Sequence, residues 1–145
     1  TGMEYLRLLS GARGKQEQNL EEKNIFDLPL NQYAITYSTG MKKKLALTAI
    51  LIPFNDFYIL DEPFNGVDIQ SNIIITEIIR KLKSLNKTIL ISSHIFSTLN
   101  DTCDEIYLLK DGAFQRKVLK EEFGILEQEM IDFTIGSSIE KLDLK

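Results

Sequence analysis

Apolar and polar residues along this chain change period several times, and each change marks an element. The first ten residues, TGMEYLRLLS, have helix-forming character behind Thr1, with Glu4 three positions on, the pattern of a capping box. A glycine-marked break, SGARG, follows, and a second helix is expected over about 16–26. FDLPLNQYAITYSTG (26–40) reads as loop, carrying Pro29 and ending at Gly40. MKKKLALTAILI (41–52) has helix-forming composition and meets Pro53 at its end, where a helix must stop.

FYIL (57–60) is short and continuously apolar, as expected for a strand covered on both faces. Asp68 can cap a helix over about 69–85, with apolar positions Ile69, Ile73, Ile74, Ile78, Leu82 and Leu85 at helical spacing. KTILISS (87–93) predicts a second buried strand, residues 95–102 a short helix, and EIYLLK (105–110) a third strand. Asp111-Gly112 then turns into AFQRKVL as a β-hairpin. Strand–helix–strand alternation predicts a parallel sheet with right-handed crossovers. Residues 120–145 are acidic and weakly patterned, and GSS (136–138) is expected to be a flexible joint.

Composition narrows the class. The 145 residues amount to one domain, with ordinary hydrophobic (43%) and charged (26%) content. A net charge of −4 offers no general attraction to nucleic acid or anionic lipid. The single cysteine, Cys103, excludes an internal disulfide, and the single histidine, His94, excludes a histidine-rich metal site within one chain. LALTAILIPF (45–54), the most apolar stretch, is too short to span a bilayer, and no signal-peptide pattern opens the chain. The expected setting is soluble and cytoplasmic. A chain that begins inside a helical pattern is expected to be a piece of a longer one.

Candidate chemistry gathers at a few points. Asp61 and Glu62 end the FYIL strand. There Asp61 is placed to hold magnesium, through water, and Glu62 to polarise an attacking water, although solvated acids at a strand end are also common. Ser38 and Gly40 stand before a helix whose free N–H groups suit an anion, and Lys42, Lys43 and Lys44 crowd its first turn. A nearby anion would explain those lysines, and so would an ordinary capped, solvated turn. His94 follows a parallel strand at its carboxyl end, the edge where open α/β sheets bind ligands, and a plain loop histidine is the other reading. Gly14-Lys15 does not make a phosphate-binding loop. The G-x-x-x-x-G-K-[ST] pattern would need glycine at Leu9 and a hydroxyl at Gln16.

Taken in order, YSTGM (37–41), FYILDEP (57–63), NGVD (65–68) and ISSH (91–94) resemble the second half of an ATP-binding cassette (ABC) ATPase, the motor domain of ABC transporters. YSTGM matches the serine and second glycine of the family's L-S-G-G-Q signature. It departs at Tyr37, Thr39 and Met41 in a way that is similar to the branch serving drug, ion and polysaccharide exporters. FYILDE resembles the Walker B strand with its catalytic glutamate, NGVD the D-loop, and SSH the switch-histidine loop. TGMEYLRLL is similar to the segment after the glutamine loop. The resemblance covers residues 1–119.

It implies an α/β, partial P-loop NTPase fold: a helical subdomain ending in the signature helix (1–52), half of the ATPase core (53–119) and a C-terminal extension (120–145). It implies Glu62 and His94 as catalytic residues and Asp61 as the ligand ordering Mg2+ with ATP. Ser38, Thr39, Gly40 and Met41 would contact nucleotide across a dimer, and Asp68 would couple the two sites. The implied partners are a transmembrane permease subunit and a second ATP-binding subunit, with no nucleic acid, at the inner face of the membrane. The Walker A loop, the aromatic nucleobase contact and the glutamine loop of the family have no counterpart in these residues, so the chain alone is expected to be inactive. The family's Walker A strand would lie beside TILISS, so an unpaired edge, self-association or a rearranged sheet is expected. A DNA-repair ABC ATPase is disfavoured by the acidic charge and lack of heptads, and a non-catalytic interaction module by Glu62 and His94 occurring together.

Overall fold

The computed structural model describes residues 1–12 and 19–135, with side chains to 132. It divides into two compact units, Thr1–His94 and Ile95–Lys145. In the first unit, helix α1 (Gly2–Gly11) starts at the expected capping box of Thr1 and Glu4. Its first free N–H groups are taken by the incoming loop, Gly2 N–H donating to Gln32 O and Met3 N–H to Leu30 O. Residues 19–26 form turns, and the helix expected over 16–26 is not found among them; residues 16–18 and Gly14-Lys15 lie outside the described residues. Local polar chemistry explains the turns. Asn24 accepts from Leu28 N–H and donates to Leu28 O, while Asn19 and Asp27 adopt positive φ, so the backbone is drawn away from a helix.

A short 3-10 turn (Ala34–Thr36) leads into helix α2 (Thr39–Leu51), capped by Ser38. Strand β1 (Phe57–Asp61) pairs in parallel with β2 (Thr88–Ser92), joined by helix α3 (Ile69–Ser84) behind its Asp68 cap. The two strands are not covered on both faces as their apolar runs predict. Tyr58 and Leu60 are buried, whereas Phe57, Ile59 and Leu90 are exposed, because the described residues pack on one face only. Along α3 the buried stripe is Ser71, Ile75, Ile79 and Leu82, while Ile69, Ile73 and Leu85 face out. Isoleucines at 73, 74, 75, 78 and 79 allow stripes in more than one register, and spacing alone does not choose between them.

In the second unit, helix α4 (Phe96–Thr102) precedes an antiparallel hairpin of β3 (Glu105–Lys110) and β4 (Ala113–Leu119). Asp111 and Gly112 both take positive φ, as the two-residue hairpin turn requires. The three strands therefore do not form one parallel sheet. β1–β2 and β3–β4 are separate two-stranded sheets, and among the described residues no third strand joins β2. Residues 120–135 are more than a weakly patterned extension. A 3-10 turn and helix α5 (Phe123–Ile135) bring Phe123 and Leu126 onto Ile106 and Val118, with Phe96, Leu99 and Cys103 packed around them. Cys103 is thus half-buried packing, as a lone small apolar residue should be. The GSS stretch lies outside the described residues.

Candidate functional site

The sheet register assembles the acidic end of the site. Asp61 pairs with Ser92 across β1 and β2, and the Ser92 hydroxyl donates to Asp61 Oδ1. The next residue, Glu62, leaves the strand at φ 46, a left-handed conformation uncommon for a residue with a side chain. Its N–H donates to Ser92 O at 3.0 Å and to Ser92 Oγ at 3.2 Å. Its Oε1 lies 2.8 Å from His94 Nδ1. Paired with a carboxylate that only accepts, Nδ1 would be the donor of this contact, which leaves Nε2 outside it. Glu62 Oε2 is buried and accepts no hydrogen bond from the described residues, although Glu62 as a whole keeps 29% of its side-chain surface exposed.

The helix start is built from the other side. Ser38 Oγ accepts from Met41 N–H at 3.2 Å, Thr39 opens α2, and Tyr37 before them is buried with its hydroxyl donating to Pro29 O at 2.8 Å. Tyr37 also leaves no room beside α1, where a Cβ at Gly2 would meet its hydroxyl at 2.5 Å. Gly40 is required by a close approach, since a Cβ there would lie 2.7 Å from Gly66 O. The signature-like YSTGM and the D-loop-like NGVD therefore abut within one chain.

The lysines need no external anion to explain two of them. Lys43 Nζ donates to Glu62 O at 3.0 Å and Asn65 O at 2.7 Å, and Lys44 Nζ to Asp68 Oδ2 at 2.9 Å and Ser71 Oγ at 3.1 Å. Lys42 is exposed. Sequence reasoning missed these ties, and also Ser92, whose role follows from the strand register and from nothing local.

Asp68 is committed inside the chain. Its Oδ1 accepts from Ser71 N–H at 2.8 Å, and its Oδ2 from the Ser71 hydroxyl and Lys44. The Ser71 N–H first, then Lys44 and the Ser71 hydroxyl, hold its carboxyl below the usual carboxylate range. A depressed carboxylate stabilises the fold fully above its unfolded-state pKa, about 4, and loses that contribution as pH falls through the folded-state value. Asp68→Ala should therefore lower the urea midpoint equally at pH 7 and pH 5. The gap to the parent chain should narrow on acidification below about pH 4. A gap that is unchanged down to pH 2, or absent at pH 7, would contradict this.

A magnesium nucleotide asks for few donors from the protein itself. Among the described residues no group of three or more His, Cys, Asp or Glu could hold a metal by itself. Magnesium, however, keeps several waters and takes one or two carboxylates plus phosphate oxygens. Asp61, exposed at the strand end and oriented by Ser92, fits that limited role.

The architecture is an α/β, ABC ATPase-like fold with helices and small sheets, as the solved structures it matches confirm. It superposes on the ATP-binding subunit of an ABC transporter with a TM-score of 0.76 and 27% identity, covering 92% of this chain and 62% of that one. It also matches the dimeric ATP-binding cassette MJ0796 bound to ADP and Pi, with a TM-score of 0.70 at 17% identity, over 83% of this chain and 56% of that one; this second likeness speaks to fold alone. No family model matches the chain.

Its sequence relatives are ABC transporter ATP-binding proteins. It is 39% identical to NatA of Bacillus subtilis over 111 residues, 76% of this chain and 45% of NatA. It is 30% identical to the bacitracin transport ATP-binding protein BcrA of Enterococcus faecalis over 141 residues, 94% of this chain and 46% of BcrA. Relatives and structural neighbours together support an ABC transporter ATP-binding domain, and the chain spans less than two thirds of the length of each of these proteins. Among the described residues no helix is long and apolar enough to cross a membrane.

Proposed function

We propose that this chain supplies the acid, histidine and helix-start side of an ATP-hydrolysing site in the ATP-binding subunit of an ABC transporter, of the exporter-type branch. The observation that carries this reading is the state of Glu62. One carboxylate oxygen is held by His94, the other accepts nothing from the described residues, and the residue stands one position beyond Asp61. A carboxylate oriented on one side by a histidine, with its second oxygen buried and short of a donor that an entering water would supply, suits a base that orients and deprotonates that water. Asp61 would hold the magnesium ion that accompanies ATP, through water, and that ion would neutralise phosphate charge when bound.

His94 presents Nε2 away from Glu62, where it can meet a γ-phosphate. To donate there it must carry both ring protons or leave Glu62. Ser38, Thr39, Gly40 and Met41 would contact nucleotide held by a second ATP-binding subunit. Asp68 would couple the two sites through the position of the 65–68 turn, since its carboxylate is already engaged. A transmembrane permease would be the driven partner, with the subunit at the cytoplasmic face of the membrane. The edge of β2 that no strand covers among the described residues offers backbone groups to another strand and is a route to self-association of the isolated chain. Within this larger ATPase the functional parts would be 1–52, 53–119 and 120–145.

No phosphate-binding G-x-x-x-x-G-K-[ST] loop occurs in these 145 residues, so the isolated chain should be inactive and should not bind nucleotide tightly. Calorimetric titration of the 145-residue chain with magnesium ATP checks this. A flat titration is expected. Saturable binding that Asp61→Ala abolishes would mean that these residues build a phosphate site of their own, and the proposed division of the site would be wrong.

A further inference from the structure

Glu62 sits in a backbone conformation that a glutamate adopts only when its surroundings over-determine it. Two sides of the molecule hold its peptide groups. On the amide side, Ser92 accepts the N–H through both its carbonyl and its hydroxyl. On the carbonyl side, Asn65 N–H donates to Glu62 O at 3.2 Å, and Lys43 Nζ, arriving from α2, donates to the same oxygen at 3.0 Å. Lys43 also reaches Asn65 O at 2.7 Å, so one ammonium ties both ends of the 62–65 turn.

Lys43 also lines a cavity of about 240 Å³ together with Ala46, Leu47, Ile50, Ile59 and Asp61. A charged donor on carbonyls is among the stronger hydrogen bonds, and here it bears on a residue whose ordinary conformations point its side chain elsewhere. If the Glu62 peptide relaxed to negative φ, its Cβ would swing and the carboxylate would leave His94.

We propose that Lys43 is a positioning residue that holds Glu62 left-handed and thereby sets its carboxylate on His94, making the aim of the base depend on the seat of α2. The catalytic meaning of this rests on Glu62 acting as the base; the geometric claim does not. A displacement of the Ser38–Met41 helix start would be transmitted to Glu62 through two residues of helix and one side chain.

His94 is the only histidine, so its ring nitrogens can be read without ambiguity by long-range 15N–1H correlation on the 145-residue chain at alkaline pH. The Nδ1–H tautomer is expected to dominate in the parent chain and to be abolished by Glu62→Ala. Lys43→Met, which keeps the stem and removes the donors, should lose most of the Nδ1–H population, and Lys43→Arg should restore it. A tautomer ratio unchanged in a folded Lys43→Met chain would overturn the proposal, as would a parent chain lacking Nδ1–H.

Should Lys43→Met not fold, the parent chain still decides. A Lys43 ammonium signal protected from solvent exchange supports the clamp, and one exchanging as fast as the exposed Lys42 refutes it. None of these readouts uses ATP. A silent Lys43→Met therefore leaves Glu62 as the base untouched, and loss of that role by turnover measurements leaves the tautomer result standing.

Discussion

Glu62→Gln in the whole ATP-binding subunit should lower ATP turnover by about 100-fold or more, within the range of general-base contributions. The substitution keeps shape and keeps an oxygen for His94 Nδ1–H, so the 2.8 Å contact and the surrounding turn need not change. What disappears is the capacity of the carboxylate to take a proton from water. Nucleotide affinity should survive, because Glu62 is not placed on the magnesium or the phosphates, so the loss should fall on kcat and leave KM nearly unchanged. Steady-state hydrolysis of magnesium ATP, with parallel nucleotide binding, separates these. Turnover within a few-fold of the parent would remove Glu62 from the role of base. A rise in KM alone would make it a binding residue.

Local chemistry was legible wherever a residue type has few alternatives. Pro53 marks the end of α2 within two residues, Asp68 caps α3, and Asp111-Gly112 turns the hairpin, each because a backbone requirement leaves little choice. Positions decided by tertiary contact were not legible. Adjacent isoleucines fit two faces of α3, so spacing does not choose the buried one, and the Lys44–Asp68–Ser71 tie belongs to no periodicity. The turns at 19–26 depend on Asn24 bonding to Leu28, a local competition that composition averages away.

The site divides in the same way. Glu62, His94, Ser38 and Gly40 enter the proposed site through their order along the chain, which is sequence information. Lys43 and Ser92 act through space on the two peptide groups that flank Glu62, and their types gave no warning. The three lysines at the start of α2 are open to two readings from sequence, a nearby anion or an ordinary capped, solvated turn. Two of them are instead occupied by carbonyls and a carboxylate of the 62–68 turn.

The same distinction makes Phe123 the sharpest test of the second unit. In a segment whose polar and acidic residues conceal its pattern, Phe123 is 2% exposed and packs with Ile106, Val118 and Leu126. Its ring meets Phe96 edge-on at 6.3 Å between centroids and lies under the Lys120 ammonium at 4.8 Å. Truncation of a buried phenylalanine costs roughly 3–5 kcal/mol, because transfer energy and an unfilled cavity add. A four-residue core has little with which to refill the space. Phe123→Ala should therefore collapse amide hydrogen-exchange protection across the β3–β4 hairpin. Leu119→Ala, at a half-exposed neighbouring position, should change it by less than about 1 kcal/mol. If residues 120–135 were only an appendage, the hairpin amides would keep their protection when Phe123 is removed. Equal protection in the two variants would detach α5 from the core assigned to it. A selective loss in Phe123→Ala would establish that the hairpin, exposed along most of β4, is held by the helix that follows it.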